Sequence, residues 1–173
     1  MIASAMLDLG SYRLEAGDVR RVHTTVAFEP LLLGGQEYRV EPALTEARLE
    51  LQASADGLYL KLAFAVDVVG PCYRCLGVAR AAVRVNAAEY HARQPDPDAE
   101  EELTCDYLDD QDQLDIEQWA RDALVLELPR SLLCRPDCPG LCPRCGARLA
   151  DDRDHRCGTD EVDDRWAKLR ELL

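Results

Sequence analysis

Aromatic residues are scarce in this 173-residue chain, at 6%, with two Phe and two Trp. A core built on stacked rings is excluded, so burial has to rest on Leu, Val and Ala. Histidine is scarcer still: His23, His91 and His155 are scattered along the chain. No glycine-rich phosphate loop and no HExxH pattern occurs, and the abundant carboxylates single out no catalytic pair. Neither an enzyme nor a small-molecule substrate is expected. Long apolar runs are missing too, none reaching the ~18 residues of a membrane helix. The start, MIASAMLDLGSYRLE, has no basic opening and no apolar stretch of leader length. A cytoplasmic protein without a membrane partner is expected.

Cysteine, by contrast, is abundant, with eight residues. Cytosolic thiols stay reduced, so these are not read as a disulfide framework; clustered thiols there bind metal or do redox chemistry. Cys134, Cys138, Cys142 and Cys145 fall in LLCRPDCPGLCPRCGARL, and Cys157 follows in DHRC. Pro136, Pro139 and Pro143 rule out a helix there. An irregular loop folded around zinc accounts for so many breakers with so little apolar content. Cys142-Pro143-Arg144-Cys145-Gly146 is the most specific signal, because two thiolates two residues apart reach one ion from a tight turn. The following glycine supplies the left-handed conformation that such turns use. Cys134, Cys138 and Cys157 compete for the two remaining places. His155, in the charged run DDRDHR, reads as a surface residue before it reads as a ligand. The same residue types also suit an iron–sulfur cluster, the lesser reading. Four thiolates leave no open position on zinc, which makes the ion structural.

Cys72-Tyr73-Arg74-Cys75 lies between two predicted strands, not at the start of a helix, which argues against a thioredoxin-type pair. Three readings stand for it: joining tail cysteines in the fold, meeting another pair across a dimer, or two buried thiols. Arg74 either lowers the thiol pKa or presents a cation for phosphate. Cys105 is isolated and reads as a spectator. No internal repeat is apparent, and the two Cys-x-x-Cys pairs sit in unlike contexts.

The remaining pattern predicts an α+β chain. Arg20–Phe28, Tyr38–Ser54, Gly57–Gly70 and Val78–Ala92 alternate as strands do, with a hairpin turn at Ala55-Asp56-Gly57. They predict an antiparallel sheet or partly closed β-barrel. Leu114–Pro129 predicts a helix capped by Asp115, burying Ile116, Trp119, Ala120, Ala123 and Leu124. A zinc-knuckle-like Cys-rich segment and a short C-terminal helix follow, the latter with Val162, Trp166, Leu169 and Leu173 on one side. The expected organisation is a β domain over 1–94, an acidic linker over 95–113, and a helix plus metal-binding tail over 114–173, packed as one unit.

The net charge of −13 is unevenly spread. Residues 1–94 carry 10 basic and 11 acidic groups, 95–128 carry 1 and 13, and 129–173 carry 9 and 9. So acidic a chain does not grip nucleic acid over a broad basic face. Its acidic middle suits a basic partner, and Arg74, Arg130, Arg135, Arg144 and Arg148 suit local contact with RNA.

Several of these segments together resemble the YceD family, the large ribosomal RNA subunit accumulation proteins. They are CYRCLGVARAAVRV, the acidic region, LDIEQWARDALVLELP, CRPDCPGLCPRCGARL, a cysteine at 157 and a final DDRWAKL. The resemblance runs roughly from Gly57 to Leu173, and C-x-G-L-C-x-x-C-G-x-x-L is its most specific part. It implies a bacterial, non-catalytic factor supporting synthesis, processing or accumulation of 23S ribosomal RNA. Its partners would be ribosomal RNA or its precursor, and/or a basic ribosomal or RNA-processing protein. The family pattern often ends Cys-x-Cys, where this chain has His155-Arg156-Cys157. The resemblance also makes the hairpin loop, with Tyr73 and Arg74, the contact surface, and the tail metal a scaffold. The alternative reading is a zinc-containing adaptor for protein partners without direct RNA contact.

Overall fold

The structure is a computed structural model describing residues 6–93, 104–152 and 154–157. Strict alternation drives the strands. In β5 (Leu44–Ala53), Ala47, Leu49, Leu51 and Ala53 are buried while Glu46, Arg48 and Gln52 face solvent. β6 (Gly57–Pro71) continues the pattern with Leu60, Leu62, Phe64, Val66 and Val68 inward. It is the spine of a six-stranded antiparallel sheet with strand order β2-β5-β6-β4-β3, and β7 lies on the other edge of β6. The remaining members are β2 (Val19–Ala27), β3 (Leu31–Leu33), β4 (Gln36–Glu41) and β7 (Val78–Ala92). β7 pairs with β6 from Gly57 opposite Ala92 to Pro71 opposite Val78. The two strands have 15 residues each, a hairpin roughly 50 Å long at ~3.3 Å per residue.

The single alternating run expected over Tyr38–Ser54 is in fact two strands. β4 pairs with Val69, Val68 and Asp67, and β5 with residues 63 down to 58 of the same strand edge. The break falls at Pro42, which has no N–H to give to a ladder. The sheet does not close into a barrel among the described residues. α1 (Ile116–Glu127) packs against both β7 and β2 and so covers the open side.

That helix starts where expected. The Asp115 carboxylate accepts the Gln118 N–H at 2.9 Å, and Ile116, Trp119, Ala120, Ala123 and Leu124 are buried. A short pair, β1 (Met6–Asp8) with β8 (Gln113–Asp115), ties the N-terminal end to the helix start. Residues 104–113 belong to the stretch expected as an acidic linker, and within it Cys105, Tyr107 and Leu108 pack inward while Asp106 and residues 109–112 stay exposed. Cys105 and Leu108 lie in the main core, and Tyr107 stacks on Trp119 with ring centroids 6.1 Å apart. Apolar residues spaced among the carboxylates anchor this segment against the helix. The rest of that stretch and the predicted C-terminal helix lie outside the described residues. No helix among the described residues is long and apolar enough to cross a membrane.

Trp119, 1% exposed, joins helix, sheet and packed loop. Trp119→Ala should cost about 3–5 kcal/mol, read as a lower denaturant midpoint, with the slope of the transition unchanged.

Candidate metal centre

The tip of the β6–β7 hairpin is a knuckle. The Cys72 N–H donates to the Gly77 carbonyl at 2.6 Å, and the Leu76 N–H donates to the Cys72 carbonyl at 2.9 Å. Leu76 takes the left-handed conformation, at φ 58°. The tail repeats this plan. The Cys142 N–H donates to the Ala147 carbonyl at 2.7 Å, and the Gly146 N–H donates to the Cys142 carbonyl at 2.9 Å, with Gly146 at φ 74°. The two Cys-x-x-Cys pairs therefore share one backbone fold, which the sequence did not reveal. The position that requires positive φ is glycine in one copy and leucine in the other, so the likeness is hidden at the residue that defines the turn.

These knuckles do not gather round one point. Cys72 and Cys75 meet Cys134 and Cys138, while Cys142 and Cys145 meet His155 and Cys157. In each group the four donor atoms lie within 4.8 Å of one another. Cys72 Sγ is 3.8 Å from Cys138 Sγ, and Cys75 Sγ is 3.7 Å from Cys134 Sγ. Disulfide sulfurs would be ~2.05 Å apart. Four thiolates ~2.3 Å from a central ion sit about 3.8 Å apart, which is the spacing seen here. In the second group Cys145 Sγ is 3.4 Å from His155 Nε2, close to the roughly 3.6 Å edge of a mixed sulfur–nitrogen tetrahedron. Both groups have the donors and spacing to hold a metal ion.

The single site expected around Cys142 and Cys145 is thus divided. Cys134 and Cys138 turn back to the hairpin pair, and Cys157 completes the other group. His155, expected at the surface, supplies its fourth donor. Of the three readings open for Cys72 and Cys75, the structure takes the one in which they join tail cysteines. Cys105 joins neither group. The count carried a usable signal: eight cysteines less Cys105 leave seven, and His155 makes two complete sets of four.

The tail is held to the hairpin by more than sulfur. The Tyr73 N–H donates to the Leu132 carbonyl at 2.7 Å, and Arg74 Nη1 donates to the Cys138 carbonyl at 3.0 Å. Leu132, Leu133 and Leu141 pack with Cys72, Cys75, Ala79 and Cys138 in a small apolar cluster apart from the main core. Of the two residues expected at the contact surface, Tyr73 is 73% exposed at the tip. Arg74 is engaged in clamping the tail, a role that sequence reasoning did not assign to it.

The local electrostatics favour a cation. Burial pushes the Cys72 thiol up, but the N–H groups of Cys134, Cys75 and Arg74 outweigh it and hold the thiol at about 6. The N–H groups of Cys145 and Arg144 bring Cys142 down to about 6 against the cost of burial. Neighbouring sulfurs act in the opposite sense. Cys138 first, then burial, raises Cys134 to about 12, and Cys145 first, then burial, raises Cys157 to about 11. Backbone amides favour thiolate at one end of each group, while crowding forbids it at the other. A divalent ion at the centre removes that conflict.

Residues 60–173 match the family described as Large ribosomal RNA subunit accumulation protein YceD. The chain belongs to the YceD family. It is 36% identical over 177 residues to uncharacterised proteins of Mycobacterium tuberculosis and Mycobacterium bovis, covering 99% of this chain and 83% of each relative. A Mycobacterium leprae protein, also uncharacterised, is 30% identical over 128 residues, or 72% of this chain and 57% of the relative. No solved structure matches. The YceD match takes in the hairpin knuckle, the helix and both donor groups.

Cys134 and Cys157 hold their protons at neutral pH without an ion, so loading has to displace them. Titration with a divalent thiophilic metal in buffers of different ionisation enthalpy should show release of at least one proton per group. The sign then fixes the acid response. Protons compete with metal for thiolates, so affinity should fall with pH, and because the ion itself stabilises the thiolates, bound metal should leave below about 6, where Cys72 and Cys142 protonate without it.

Proposed function

We propose that this protein is a non-catalytic ribosome-biogenesis factor that supports synthesis, processing or accumulation of 23S ribosomal RNA. The observation that carries this reading is its membership of a family described by large ribosomal RNA subunit accumulation. The metal is zinc. All-thiolate and thiolate–imidazole sets of four are its structural donor sets, and an iron–sulfur cluster would spread its cysteines around several irons. Donors packed within 4.8 Å suit a single ion. When bound, zinc supplies cross-linking and charge neutralisation. Four protein donors leave no position for water or substrate, which favours binding over catalysis.

The contact surface is the hairpin tip. Tyr73, Leu76 and Val78 are 73%, 64% and 79% exposed there, on a turn fixed by its own hydrogen bonds and by the tail. A rigid exposed ring is a stacking platform for an unpaired base. The partner is ribosomal RNA or its precursor, and/or a basic ribosomal or RNA-processing protein drawn to the acidic middle of the chain. The net charge of −13 favours a second reading, a zinc-containing adaptor that holds proteins and touches no RNA.

Deletion of the gene should lower 23S relative to 16S ribosomal RNA, measured by profiling total RNA, and a Cys72→Ser copy should fail to restore it. Unchanged ribosomal RNA in the deletion strain would refute the proposal. Pull-downs with and without nuclease separate the two readings. Under direct contact, Tyr73→Ala should weaken RNA retention by about 1–3 kcal/mol with thermal unfolding unchanged. Under the adaptor reading, nuclease and Tyr73→Ala leave RNA-free complexes intact.

A further inference from the structure

The two donor groups differ in access. Cys72, Cys75 and Cys138 are at most 1% exposed, with only Cys134 at the surface. In the other group only Cys142 is buried. They differ in reach as well. The inner donors come from the hairpin tip and from a tail segment some sixty residues later, while the outer four lie within residues 142–157. One residue joins them. Arg148 sits on the outer loop, bridged to Leu141 across the Cys142–Cys145 knuckle. Its Nη2 reaches Cys75 Sγ of the inner group, donating at 3.8 Å. The seat for that guanidinium is Gly77, because a Cβ at this position would fall inside the Arg148 head group.

We propose that the chain holds two zinc ions of unequal standing, and that Arg148 makes the outer ion a lock on the inner one. This rests on the zinc reading above. The inner set, Cys72, Cys75, Cys134 and Cys138, carries four thiolates against one divalent charge, an excess of two negative charges. A guanidinium is permanently charged, so hydrogen bonding to a thiolate offsets part of that excess, stabilises the loaded set and lowers the sulfur's affinity for a competing proton. The outer ion, on Cys142, Cys145, His155 and Cys157, fixes the loop that carries Arg148. Loss of the outer ion frees that loop, withdraws the guanidinium and exposes the inner sulfurs. By linkage, each ion tightens the other. Arg148 is a positioning residue here, acting on an ion that it does not ligate.

The test is zinc affinity of the full-length protein, titrated against a chromophoric chelator, with ions per chain counted by native mass spectrometry. The wild-type chain should hold two ions, and Cys145→Ser with Cys157→Ser should hold one. Arg148→Ala should keep two ions, lower the affinity of the two-ion form about tenfold or more, the factor expected for one hydrogen bond to a charged group, and leave the single ion of the doubly substituted chain unchanged. Gly77→Ala, which fills the seat, should match it, and combining the two should add nothing. Arg148→Lys should restore part of the affinity, since it keeps the charge and loses the fork. Weakening of the doubly substituted chain's single ion by Arg148→Ala would overturn the lock, because it would mark general loosening of the fold. A two-ion affinity indifferent to both Arg148→Ala and Gly77→Ala would overturn the lock and leave the zinc reading standing. A chain that takes up no zinc would overturn both.

Discussion

Closure of the tail onto the hairpin tip is the constraint on which the metal-binding half of the molecule depends. Cys134 and Cys138 come from a segment with three prolines and few apolar residues, which cannot bury itself. They reach Cys72 and Cys75 at sulfur–sulfur distances of 3.7–3.8 Å. Two hydrogen bonds from Tyr73 and Arg74 and a small patch of leucine accompany that approach. The leucine patch meets the packing of the main core through Tyr38, so the sheet supports the tail at its edge. The donor group at that junction, spaced to hold a metal ion, adds a second fastening.

The long β6–β7 hairpin explains how such a junction is presented. Most of its length is bound into the sheet, with β5 and β4 along the other edge of β6 and α1 against β7. Its tip runs beyond the main core and carries the first knuckle. A ladder that is continuous from Gly57 to Pro71 gives that tip a stiff base. The turn closes on its own backbone, so cysteine spacing and φ at Leu76 matter more than the identity of the residues between the thiols.

Much of the scaffold was legible in the sequence. β7 falls on the expected residues, and β2, β6 and α1 start and stop within a residue or two of expectation, because alternation and capping are local signals. The split at Pro42 was a local signal passed over. The packing of Cys105, Tyr107 and Leu108 was masked by the carboxylates around them, since charge density reads as solvation when tertiary neighbours are unknown. At the metal centre the donor types were legible and the partition was not. Which cysteines share an ion depends on where the hairpin tip meets the tail, a contact across some sixty residues that no spacing rule encodes. His155, read as a surface residue from its charged neighbours, lies 3.4 Å from Cys145 within the second donor group, a neighbour that the local sequence does not reveal.

The doubling of one turn has a consequence for how such a protein can change. In both copies the backbone makes the loop and the sulfurs are placed to hold an ion, tasks that do not need the Tyr73 ring. Tyr73 and Arg74 lie between the thiols in one copy, Pro143 and Arg144 in the other. The Tyr73 ring can be exchanged while the fastening beneath stays intact, whereas the Arg74 side chain is part of that fastening. The molecule thus separates what keeps it assembled from what it offers to others, and its choice of company can drift faster than its architecture.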